Sequence, residues 1–130
     1  MKNEKTLKAL TKGEMEVMNI LWDAPQALTV HEIVAHYAEP RPAYTTVGTF
    51  LKILEAKGYV EHHRKDVTGR TFYYSPMLTR EKYTIQVLND IKDSLFGSSA
   101  TRFCSFLIQN EELSNEDLRE IMEMIEKEDV

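Results

Sequence analysis

The chain is 130 residues long, 42% hydrophobic and carries a formal net charge of −5, which suits one or two small domains with modest cores. No apolar run reaches the roughly 18 residues of a membrane span, the start MKNEKTLKAL lacks the apolar centre of a secretory signal, and one cysteine, Cys104, excludes an internal disulfide framework or a cysteine-built metal cage. A cytoplasmic protein without direct membrane binding is predicted. Its charge is uneven: residues 1–78 hold 10 Lys and Arg against 9 Asp and Glu, while residues 79–130 hold 6 against 12, so a locally basic surface sits on an acidic remainder.

Thr11 with Glu14 has capping-box spacing, and Met15, Met18, Leu21 and Trp22 follow at helical intervals until Pro25. Thr29 with Glu32 repeats the signature for a second, short helix carrying Val30, Ile33, Val34 and Tyr37, ended by Pro40 and Pro42. A third helix is predicted over about 43–57, closed by a basic residue and a glycine, Lys57-Gly58. Tyr59 to Lys65 and Arg70 to Ser75 read as two strands joined by the turn residues DVTG. Three helices followed by a hairpin give the order of a winged helix-turn-helix domain over residues 1–76, with its boundary at Pro76.

The remainder, residues 77–130, reads as helical. Thr79 opens a helix with Tyr83, Val87, Leu88, Ile91 and Leu95 that ends at Gly97. ATRFCSFLIQ is too apolar all round for a surface helix, which predicts burial on more than one side. Ser114 and Asp117 open a last helix with Leu118, Ile121, Met122 and Ile125. Three short helices over about fifty residues make a poor independent core, so Tyr83, Val87, Ile91, Leu95, Phe103, Phe106, Leu107, Leu118, Ile121 and Ile125 are expected to complete one across a homodimer interface. The fold class is thus mostly α with a small β-hairpin: a winged helix-turn-helix domain and a three-helix dimerisation domain.

The third helix holds the functional signal. Counting 100° per residue, Val47, Phe50, Leu51 and Leu54 share an apolar face, while Thr45, Gly48, Thr49 and Lys52 group opposite it. Threonine and glycine are poor helix formers, and an ordinary solvated face would use Glu, Lys and Gln. Small side chains let a helix axis approach the major groove, hydroxyls meet base edges and phosphates, and threonine methyls can touch thymine. Tyr44 places a further hydroxyl at the helix start. Arg64, Lys65 and Arg70 flank the hairpin turn, where cations track phosphates or enter a minor groove. The rival reading is a winged-helix protein-interaction module that never touches DNA.

LTKGEMEVMNILW, AYTTVGTFLKILEAKGYV and GRTFYYSP resemble successive motifs of the penicillinase repressor and methicillin-resistance repressor family of bacterial regulators. The resemblance covers essentially the whole chain. It implies a transcriptional repressor of antibiotic-resistance type, homodimeric on a palindromic double-stranded operator, with its third helix in the major groove and its C-terminal helices paired. It gives Tyr44, Thr45, Thr46, Thr49 and Lys52 the recognition role and Arg70 the wing role. It also implies release through a pathway containing a membrane-bound sensor protease. Family members are cut at an Asn-Phe bond; the matching bond here lies between Phe106 and Leu107, without an asparagine, so a β-lactam response does not follow from the resemblance.

Other motifs lead nowhere. HEIVAH approaches a zinc-protease motif, but His31 and His36 are five residues apart and about 140° apart around a helix; they read as surface histidines able to meet phosphates. His62 and His63 point to opposite faces of a strand. Cys104 reads as a small core hydrophobe. No catalytic order, phosphate loop or dinucleotide motif is present, and the chain ends MIEKEDV rather than in the Cys-x-Cys tail of copper-responsive relatives. No enzyme activity, metal or cofactor is expected.

Overall fold

A computed structural model describes residues 9–65, 69–110 and 114–128. The predicted turn residues Asp66 to Thr68 and the acidic Glu111 to Leu113 lie outside that set, as does the side chain of Ile125. The chain divides into two compact units, one of Leu10–Thr79 and one carrying the helices from Arg80 onward.

The first unit holds α1 (Lys12–Asp23), α2 (Val30–Ala35), α3 (Tyr44–Ala56), β1 (Val60–Arg64) and β2 (Phe72–Pro76). Two reciprocal capping boxes start it. The Thr11 amide donates to Glu14 Oε1 at 3.0 Å and the Glu14 amide to Thr11 Oγ1 at 3.2 Å; Thr29 and Glu32 do the same at 2.8 and 3.2 Å. Each box satisfies two amides that a helix start leaves without an intrahelical acceptor. At the other end of α3, Gly58 adopts φ +82°, a conformation that favours glycine. The Gly58 amide donates to the Glu55 carbonyl and the Tyr59 amide to the Leu54 carbonyl, both at 2.9 Å, which closes the helix in a Schellman motif and turns the chain into β1.

Val17, Met18, Leu21, Ile33, Val47, Leu51, Leu54 and Val60 form the core of this unit. Gly13 lies against the ring of Phe50: a Cβ at position 13 would come within 2.4 Å of Phe50 Cζ, so a larger residue there requires that ring to move. β1 and β2 pair antiparallel, from Val60 opposite Pro76 to Arg64 opposite Phe72. Leu28 joins the free edge of β2 through two bonds with Tyr74, at 2.8 and 3.0 Å. Pro76 is therefore the last strand residue. The chain stays with this unit beyond it, because the Met77 amide donates to the Tyr59 carbonyl at 2.9 Å and Trp22 Nε1 donates to the Leu78 carbonyl at 2.8 Å.

The second unit holds α4 (Arg80–Leu95), α5 (Ala100–Asn110) and α6 (Asn115–Glu128). Gly97 and Ser98, both at positive φ, end α4; Ser99 caps α5 through the Arg102 amide, and Ser114 caps α6 through the Asp117 amide. Phe96 gathers Phe103 and Phe106, with ring centroids 5.1 and 5.5 Å away. Cys104 and Met122 bring their sulfurs to 3.2 Å between α5 and α6.

A single chain closes only part of the apolar surface of this unit. On α4 the buried residues are Tyr83, Ile85, Asn89 and Lys92, whereas Val87 and Ile91 are half-buried and Leu95 is 67% exposed. Burial thus falls on the face through Ile85 and Asn89, and Asn89 is accommodated by donating to the Ile85 carbonyl at 3.0 Å. On α5 only Phe103 is buried within one chain; Phe106 and Ile108 are 50% and 55% exposed, so burial on more than one side does not occur within a single chain.

Candidate nucleic-acid interface

α3 divides into the two faces its sequence predicts. Val47, Leu51 and Leu54 are buried, and Tyr44, Thr45, Thr46, Thr49 and Lys52 are exposed. A Cβ built on Gly48 would meet nothing within 4 Å. Since no neighbour requires glycine and the helix would gain stability from alanine, the absent side chain has no use inside the chain. What it leaves is a shallow strip beside Thr45 and Thr49 where another surface can come close.

Two features refine this face. Thr49 Oγ1 donates to the Thr45 carbonyl at 3.0 Å; the hydroxyl proton is engaged, so Thr49 offers outward its methyl and acceptor lone pairs. Ile53 is 39% exposed and lies about 40° around the helix from Thr49, between it and Thr46. Its signal in the sequence is an aliphatic side chain lying off the apolar face, which a search for polar contacts passes over.

The C-terminal end of α3 is fixed from α1. Lys57 Nζ lies 3.1 and 3.3 Å from the two carboxylate oxygens of Glu14, a side chain only 5% exposed. Burial pushes the Glu14 carboxyl up, but the Thr11 amide, the Lys57 ammonium and the Thr11 hydroxyl together outweigh it and hold the group below its ordinary value. At the start of α3, Ala43 supplies no side-chain cap, and the Tyr44 ring leans on His31 of α2 with centroids 4.5 Å apart.

The hairpin separates its cations by face. Arg64 lies on the side of His62, Phe72 and Tyr74, with its guanidinium 5.6 Å from the Phe72 centroid; Lys65 lies on the other side, 5.9 Å from the Tyr73 centroid. His62 Nδ1 meets Glu55 Oε2 of α3 at 2.6 Å, which ties the hairpin to α3. Burial first, and then the charge of Glu55, raises the Tyr74 hydroxyl above its ordinary value.

Two surface hollows gather these groups. One, of about 240 Å³, is lined by Thr29, Val30 and His31 of the second helix and its cap, Tyr44 of α3, and Arg70, Thr71, Phe72 and Tyr74 of the wing. It brings Tyr44 and Arg70 together. Arg64 and Lys65 instead line a second hollow of about 300 Å³ with Gln26, Ala27, His63 and Tyr73. Among the described residues, no group of three or more His, Cys, Asp and Glu is disposed to hold a metal ion, and no helix is long and apolar enough to cross a membrane.

Of the residues expected at a subunit interface, Tyr83 and Phe103 are buried by their own unit; Val87, Ile91, Leu107, Leu118 and Ile121 are half-buried; Leu95 and Phe106 are exposed. Ile108 joins the exposed apolar residues and was not anticipated. Both Phe106 and Leu107 lie inside α5. Burial pushes the Cys104 thiol up, the behaviour of a packed rather than a reactive cysteine.

Three helices closed by a two-stranded wing, with the third helix baring a strip of small hydroxyl side chains, define a winged helix-turn-helix module. The penicillinase repressor family profile matches residues 10–127, and the penicillinase repressor of Bacillus licheniformis is 22% identical over 124 residues, 95% of this chain and 94% of that protein. The chain belongs to the penicillinase repressor family, and so stands among transcriptional repressors.

Proposed function

We propose that the protein is a homodimeric repressor that occupies a palindromic duplex operator, with α3 in the major groove, the wing on the flanking backbone, and α4 to α6 joining two copies. The observation that carries this is the bare strip at Gly48: helix stability is given up where no internal neighbour asks for it, between Thr45, Thr49 and Lys52. Thr45, Thr46 and Thr49 meet base edges, Lys52 reaches a base or a phosphate, and Arg64 and Arg70 meet phosphates. Pairing through the second unit covers Leu95, Phe106 and Ile108, which one chain leaves open. Two linked α3 helices then read two half-sites and raise each other's effective concentration.

Release by proteolysis between Phe106 and Leu107 would require α5 to open, because both residues lie inside a helix and cutting follows the population of the opened state. A sensor protease acting here therefore works after the pair of second units has loosened, or with a specificity that needs no asparagine. The test of the central reading is selection of duplexes from a random pool by the full-length protein, followed by binding measurements at several salt concentrations. A palindromic consensus and a steep salt dependence are expected; weak, sequence-blind binding with a flat salt response would leave the protein-interaction module as the better reading.

A further inference from the structure

We propose that His31, Tyr44 and Arg70 form one seat for a backbone phosphate of duplex DNA, and that His31 takes up a proton as the phosphate enters. The proposal rests on the DNA-binding reading above and names a contact and a linkage within it.

The three side chains come from three elements, α2, α3 and the segment entering β2, and line a single hollow of about 240 Å³. All three are exposed. His31 and Tyr44 are already in ring contact at 4.5 Å, so the imidazole is oriented before any ligand arrives. Thr29 and Thr71 add hydroxyls to the same wall, and no carboxylate lines it. A guanidinium, an imidazole, a phenol and hydroxyls around a concave surface can each donate, and with no carboxylate in the lining they complement a phosphodiester oxygen pair. The hollow opens where α3 begins, next to the strip at Thr45 and Gly48, so a strand whose bases meet that strip has its backbone within reach.

The charges around His31 fix the sign of the linkage. Arg70 lines the same hollow from the wing, with the hydroxyl-bearing rings of Tyr44 and Tyr74. Glu32, its neighbour on α2, is turned back to the Thr29 amide, and Glu55 is engaged with His62. A seated phosphodiester places a negative charge beside His31 and Arg70, so a proton on His31 is favoured when DNA is bound and affinity rises as pH falls.

The experiment uses the full-length protein and its selected duplex. Affinity is measured by fluorescence anisotropy from pH 8 to pH 6 at constant ionic strength, for wild type, His31→Gln, Tyr44→Phe, Arg70→Ala, His36→Gln and His63→Gln. It is repeated on duplexes in which single phosphates are replaced by neutral methylphosphonates. Wild type should tighten by about threefold per half-site over this range. His31→Gln should lose most of that gain, and His36→Gln and His63→Gln should keep it. One phosphate per half-site should cost wild type about tenfold when neutralised, and the same substitution should cost His31→Gln and Arg70→Ala less than about twofold each. Retention of the full pH response by His31→Gln overturns the proposal, as does mapping of His31 and Arg70 to different phosphates. Inorganic phosphate at millimolar concentration that displaces the duplex at fixed ionic strength would show a free-anion site instead. If wild type binds no duplex in a salt-dependent way, the DNA reading fails and the seat fails with it; if only the His31 results fail, the DNA reading stands.

Discussion

The two units of the chain bury their apolar residues to different degrees. In the winged-helix unit Val17, Met18, Ile33, Val47, Leu51 and Leu54 are wholly removed from solvent by their own chain, whereas the helical unit leaves Leu95, Phe106 and Ile108 half or more exposed. Both are small. The difference lies in closure: a sheet edge and three crossing helices can enclose a core, while the three helices of the second unit leave apolar side chains open among the described residues.

The largest test of that contrast is truncation of a core side chain on each side. Leu51→Ala should cost about 2–5 kcal/mol of first-unit stability in denaturant unfolding, because it leaves a cavity in a closed core. Leu95→Ala, measured at concentrations where the protein is a single chain, should change stability by less than about 0.5 kcal/mol. Next, Phe106→Asp should weaken self-association by about 2–4 kcal/mol in sedimentation equilibrium while leaving the unfolding of the first unit unchanged. An unaltered association constant would mean that the exposed side of α5 is not where copies meet.

Within the first unit, Gly13→Ala should destabilise by about 1–3 kcal/mol, since the new methyl must displace the Phe50 ring. Phe50→Leu in the same chain should recover part of the loss, and a double-mutant cycle would report the coupling.

The buried Glu14 predicts an acid limit for the first unit alone. Its folded-state pKa lies below the ordinary 4.5, so its contribution is complete above that pH and is lost as pH falls through the folded value. Glu14→Gln should flatten the stability profile of the first unit below pH 4.5, and Lys57→Met should cost about 1–2 kcal/mol at pH 7 by leaving the carboxylate without its partner.

The smallest expected effect separates the threonines. The Thr49 hydroxyl proton is engaged with Thr45, so Thr49→Val should change operator affinity by less than about threefold, whereas Thr49→Ser, which removes the methyl, should cost more. The opposite order would assign the hydroxyl the contact.

Much of this was legible because it is local. Thr11 with Glu14, Thr29 with Glu32 and Ser114 with Asp117 lie three residues apart, and the capping bonds form at that spacing. The apolar side of α3 follows from helical period alone, as do the exposure of Thr45, Thr46, Thr49 and Lys52. What escaped the sequence depends on distant partners. Glu14 and Lys57 stand 43 positions apart, and nothing near either residue announces the other. The burial of Asn89 and Lys92 on α4 is hidden in the same way, because polar residues read as solvated and nothing local marks these two otherwise. His31 looked like half of a failed metal motif, and only the fold brings Arg70 to it.

Trp22 is the only tryptophan in the chain, and its indole N–H is engaged by the Leu78 carbonyl where the chain leaves the wing. It thereby becomes an optical gauge built into one half of the molecule. Its emission registers the loosening of the winged-helix unit, and Tyr83, the one tyrosine of the helices from Arg80 onward, lies outside selective excitation of indole. Melting of the winged-helix half can thus be followed in an unlabelled protein, apart from events in the other half.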